Sequence, residues 1–136
     1  MGEIEQRSSI DIDSMINRDL EIDESNLIGE LRKQKDILYK WGSKLSKLED
    51  KYKRTCLTLD ILIKEKHQFY STEYERVLSS PEVKIYVAGD AEIIELKNKK
   101  RELETMMDTI RHGINAIKVR NRTLLILVEQ QRLGMM

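Results

Sequence analysis

Two rows of apolar residues, each recurring in alternating steps of four and three, decide most of what this chain can become. The first runs Leu27, Leu31, Gln34, Leu38, Trp41, Leu45, Leu48, Tyr52, Thr55, Leu59 and Leu62. The second runs Leu96, Lys100, Leu103, Met107, Ile110, Ile114, Ile117, Asn121, Leu124 and Val128. That spacing puts every member of a row on one face of an α-helix and makes a coiled-coil-type seam. An all-α chain is therefore expected, built as a long helical hairpin with a short N-terminal helix. At 136 residues it is one domain at most.

Punctuation around the seams divides the chain. Residues 1–10 are polar and expected to be disordered. Ile12, Met15, Ile16 and Leu20 then have the spacing of a short amphipathic helix within an acidic arm, residues 1–24. Such an arm covers a basic surface or docks a partner, and packing on its own domain is the commoner outcome. Residues 23–25, Asp-Glu-Ser, supply cap chemistry for a first long helix over 25–78, with Gly42-Ser43 as its expected bend. In the connector, 79–89, Ser79 or Ser80 caps a restart with Pro81 in the first turn and Glu82 near the helix dipole. The alternation over 83–87 also suits a strand; a short helix stopping at Gly89 is preferred. Asp90 caps a second long helix, 90–136.

Charge sharpens this division. Net charge is zero, but residues 1–30 carry nine acids and two bases, and residues 31–70 eleven bases and five acids. Residues 71–95 net −4 and residues 96–136 net +5. A neutral chain arranged this way can still present a basic face. Cys56 is the single cysteine, so no disulfide framework exists. The N-terminus has neither the basic start nor the apolar run of a signal peptide, and the longest apolar run, residues 124–128, is far too short to span a bilayer. A soluble, cytoplasmic protein without membrane contact is expected.

No constellation for catalysis stands out. His67 and His112 have no partner at metal-ligand spacing, Cys56 has no second thiol, and there is no phosphate-cradling glycine loop. No enzyme activity, metal or cofactor is expected. The chain changes character instead over residues 57–71, where the seam ends at Leu62 and Lys64, Lys66, Phe69 and Tyr70 follow. Lysines grip phosphates and aromatic faces stack on bases. Equally, such a stretch is a solvated helix end with two aromatics tucked under a neighbour. Residues 124–128 are apolar on all sides of the helix, more than a two-helix hairpin can cover. Self-association is therefore expected through Ile114, Ile117, Asn121, Leu124, Leu125, Leu127 and Val128, with Asn121 as a register-setting polar position.

Five short stretches, in order, carry a resemblance. They are Ile22-Asp-Glu-Ser-Asn-Leu27, Lys40-Trp41, Ile63-Lys64-x-Lys66-x-x-Phe69-Tyr70-Ser71, Val77-Leu78-Ser79 and Ile114-Asn-Ala-Ile-Lys-Val-Arg120. Together they resemble the phage recombination mediators of the UvsY family, from about Ile22 to the C-terminus. The resemblance implies a small helical protein forming a closed homo-oligomeric ring, a hexamer or heptamer, in the host cytoplasm if phage-encoded. Its partners would be single-stranded DNA, a RecA-type recombinase that it loads, and the single-strand-binding protein that is replaced. The family's basic–aromatic motif falls on Lys64, Lys66, Phe69 and Tyr70. This chain departs from it with lysine for arginine at Lys66, Thr72 for glycine, and Glu65 and His67 interposed. Lysine keeps the charge but loses arginine's planar fork. Lys53 and Arg54 extend the DNA-binding set, as do Arg120 and Arg122, which could equally pair with acids of a neighbour. The competing expectation is a structural coiled-coil adaptor that binds no nucleic acid.

Overall fold

The computed structural model describes residues 9–134, and within them the chain is all helical. Helix α1 spans Ser9–Leu20, α2 Leu27–Gln68, α3 Ser80–Gly89 and α4 Ala91–Gly134. A 3₁₀ turn, Glu24–Asn26, precedes α2, and a π-helical turn, Phe69–Glu73, follows it. The disorder expected at the N-terminus falls mostly on residues 1–8, outside the described residues, as do residues 135 and 136. Every seam position of α2 and α4 is buried or half-buried, including the polar Gln34, Thr55, Lys100 and Asn121.

Two compact units make up the structure: residues up to Leu48 with those from Thr105 onward, and Glu49–Glu104. In the first unit Ile12, Ile16, Trp41, Leu48, Ile110, Ile117 and Leu124 are almost wholly buried. The acidic arm is part of this core, since α1 buries Ile12 and Ile16 four residues apart on one face. A β-carbon on Gly113 would lie 2.4 Å from the Ile16 Cδ1, so glycine is what lets α1 lie this close to α4. Asp19 ties the arm down by accepting from the Trp41 Nε1 at 2.7 Å and pairing with Lys40 at 2.5 Å.

A buried ion pair crosses the same unit. Arg120 Nη2 donates to Glu30 Oε2 at 3.2 Å and to the Glu21 carbonyl at 3.3 Å, and Nη1 reaches Asn121 Oδ1. Glu30 also accepts from the Asp23 backbone N–H at 3.0 Å and pairs with Lys33. The Asp23 bond, followed by those from Lys33, outweighs desolvation and holds the Glu30 carboxyl below its ordinary pKa.

In the second unit Leu59, Val83, Val87 and Ile93 form a core, with Leu62, Ile63, Tyr70, Leu78 and Leu96 packed around it. Tyr52 reaches Glu104 and Lys66 reaches Glu92, so here α2 and α4 run antiparallel. Ser79 accepts from the Glu82 N–H while Glu82 accepts from the Ser79 N–H, a full capping box with Pro81 behind it. This makes 83–87 helical, because a capped start outweighs the strand-like alternation of so short a run. The first long helix is shorter than the expected 25–78. Its α-helical part ends at Gln68, and Tyr74 is already extended at φ −70°, ψ 151°. With the seam exhausted at Leu62 and Ile63, the next apolar groups are aromatics that turn inward on Tyr86 of α3.

Candidate nucleic-acid interface

The end of α2 and the capped start of α4 place the basic–aromatic stretch in the second unit. Lys64 lies on the outer side of α2, exposed and without an ion pair among the described residues. Two residues on, Lys66 is turned inward. Its Nζ lies 3.2 Å from Glu92 Oε1 and 3.4 Å from Asp90 Oδ2, and its side chain keeps only 21% of its exposure. The hydrogen bond to Glu92, then that to Asp90, raises the Lys66 pKa, so it stays an ammonium ion through any physiological pH.

Asp90 is the hub of this corner. It accepts from the Tyr70 hydroxyl at 2.8 Å and, through Oδ1, from the Glu92 backbone N–H at 3.0 Å, which caps α4. Burial works to raise its pKa, but the bonds from Tyr70, Glu92 and Lys66 prevail and hold it below the ordinary value. The same bond raises the Tyr70 hydroxyl's pKa. Tyr70 is thereby fixed at both ends, ring in the core and hydroxyl on Asp90.

Four of the chain's seven aromatic residues meet here. Phe69 stands edge-on to Tyr70 at 5.1 Å and to Tyr74 at 6.2 Å, and Tyr70 and Tyr74 each contact Tyr86, at 5.6 and 5.3 Å. Phe69 keeps 40% of its surface exposed, so part of the ring faces solvent. The Arg76 guanidinium lies 5.8 Å from the Tyr86 ring centre and donates to its hydroxyl. This corner therefore leaves part of an aromatic ring in solvent at the end of α2 that also carries the exposed Lys64. No group of residues able to hold a metal occurs among the described residues.

Other residues of the expected DNA-binding set lie apart. Lys53 is exposed in this unit, and Arg54 is exposed but paired with Asp50 one turn back. Arg122 is exposed in the other unit. Arg120 is 5% exposed and committed to Glu30 and the Glu21 carbonyl, so its guanidinium is used within the chain. The residues expected to self-associate divide in the same way. Ile117 and Leu124 are buried inside the chain's own first unit, and Asn121 serves Arg120. Ile114, Leu127 and Val128 are half-buried, while Leu125 is exposed, as are Val119, Ile126 and Leu133.

Sequence reasoning passed over Tyr74, Arg76 and Tyr86, whose only signal is sequence proximity to the motif and to the capped turn. It also passed over Lys97 and Lys99, exposed on α4 in the second unit, in a stretch with four cations among five residues. That density was a readable signal.

Comparison with known proteins agrees with this layout. Residues 15–134 match the family model described as the recombination, repair and single-stranded-DNA-binding protein UvsY. The fold is similar to crystal structures of the bacteriophage T4 recombination mediator protein UvsY. One crystal form aligns with a TM-score of 0.82 at 18% identity, covering 94% of this chain and 99% of that one. A second gives 0.81 at 17%, covering 91% and 98%. No curated protein sequence gives a significant match.

Proposed function

Because the chain belongs to the UvsY family, we propose that it is a recombination mediator: it binds single-stranded DNA and promotes loading of a RecA-type recombinase in place of the single-strand-binding protein. The observation that carries the DNA-binding part is that Lys64, without an ion pair among the described residues, and part of the Phe69 ring are both exposed at the same end of α2. A lysine takes phosphate, an aromatic face takes an unpaired base, and together they favour single strands over duplex. Lys53, Lys97 and Lys99, exposed in the same unit, add phosphate contacts.

One such patch binds weakly, and repetition in a homo-oligomer turns weak contacts into useful affinity. Exposed Val119, Leu125 and Ile126 on α4 support self-association, into a hexameric or heptameric ring on this reading. Since Leu124 is used within the chain, the interface falls to these neighbours. No helix among the described residues is long and apolar enough to cross a membrane.

Titration of a fluorescent oligothymidylate across a salt series tests the reading. Affinity should fall as salt rises, because bound phosphates release counterions. Lys64→Ala should reduce the salt slope by about one, and Phe69→Leu should weaken binding about tenfold with the slope kept. Absence of binding at low salt would leave the chain as a coiled-coil adaptor.

A further inference from the structure

Lys66 sits where the basic–aromatic stretch would take a phosphate, yet it is already occupied. We propose that Glu92 is an internal competitor for that phosphate, a carboxylate that lowers affinity for single-stranded DNA by holding the Lys66 ammonium. The inference rests on the DNA-binding reading above and deepens it.

The two carboxylates on Lys66 have different duties. Asp90 belongs to the fold: one oxygen takes the Tyr70 hydroxyl, the other takes the Glu92 N–H at the start of α4. Glu92 has no such ties. Its side chain is 64% exposed, and Lys66 is its one ion-pair partner among the described residues. Carboxylate and phosphate oxygens approach an ammonium at the same distance and use the same donor hydrogens. Lys66 has three donors, and Asp90 and Glu92 already engage two of them. Two negative charges against one positive leave the Lys66–Asp90–Glu92 cluster net negative, so an arriving phosphate meets repulsion there until Glu92 swings out. Because Glu92 is exposed, that displacement costs little, and the result is a tuned affinity rather than a blocked site.

Glu92→Gln in the full chain keeps the side chain's shape and removes the competing charge. Its affinity for the oligothymidylate should rise about two- to fivefold, with a steeper salt slope as Lys66 gains a phosphate. Glu95→Gln, on the same exposed helix but without an ion pair among the described residues, removes the same charge and should change affinity less. In a Lys66→Ala background, Glu92→Gln should add nothing. The inference is overturned if Glu92→Gln and Glu95→Gln act alike, or if the gain survives in that background, since either marks a general charge effect. If wild type binds and Lys64→Ala weakens it while Glu92→Gln changes nothing, the competitor falls and the DNA-binding reading stands. No binding by wild type removes both.

Discussion

Each unit contains a cation paired with carboxylate, one for Arg120 and two for Lys66, and the two arrangements do different work. In the first, Arg120 and Glu30 are almost wholly buried, with further bonds to the Glu21 carbonyl and the Asp23 N–H. In the second, Lys66 is partly solvated and one of its acids, Glu92, is mostly in water. A buried pair depends on both members, because either one left alone is a desolvated charge. A solvated pair is worth little, so its members remain available to a ligand. Burial, more than chemical type, separates a structural charge from a functional one.

Breaking both pairs is the most demanding check on that contrast. Arg120→Ala takes a buried partner from Glu30, leaving it the Asp23 N–H and Lys33, and should cost about 3 kcal/mol in urea denaturation, whereas Lys66→Ala, which leaves Asp90 its bonds from Tyr70 and the Glu92 N–H, should cost clearly less. Equal losses would erase the distinction.

Acid should weaken both arrangements. The Glu30 and Asp90 carboxyls are held below their ordinary values, by the Asp23 N–H first in one case and, against burial, by Tyr70 and Glu92 in the other. A depressed carboxylate contributes stability above its unfolded pKa and loses it as pH falls through the folded one. The urea midpoint should therefore hold at neutral pH and decline below roughly pH 4. Glu30→Gln should flatten part of that decline. Lys66 works at the other end: its raised pKa gives a contribution intact below the ordinary lysine value and lost as pH climbs through the raised one.

Glycine substitutions ask whether close packing or helix propensity governs the long helices. Gly113→Ala gains propensity but drives a methyl into buried Ile16, so a net loss of about 1–2 kcal/mol is expected. Gly42→Ala meets nothing within 4 Å and should stabilise by up to about 1 kcal/mol. The smallest effect on stability belongs to Leu125→Asp, on an already exposed site. Helicity should persist while the mass in solution drops toward that of a monomer. An unchanged mass would place the interface elsewhere.

The helices were legible in the residues because helix formation is governed by local pattern. Two seams stepping by four and three, the Ser79-x-x-Glu82 box with Pro81, and Asp90 before an apolar period each act within a few residues. The end of the first long helix was less legible: the extra turn to Glu73 answers to Tyr86, which lies well beyond any local window. Within the candidate site, sequence singled out Lys64, Lys66, Phe69 and Tyr70 alike.

Only tertiary structure divided them. It left Lys64 free and turned Lys66 and Tyr70 onto Asp90, brought in Tyr74 and Tyr86, and buried Arg120 while leaving Arg122 in water. The physical reason is range. Apolar periodicity is set by neighbours three and four residues away, so the sequence by itself determines which face of each helix is buried. Whether a charged residue is a strut or a ligand site depends on an opposite charge supplied by another helix: Glu30 stands ninety residues from Arg120, and Glu92 twenty-six from Lys66. No local pattern encodes such a meeting.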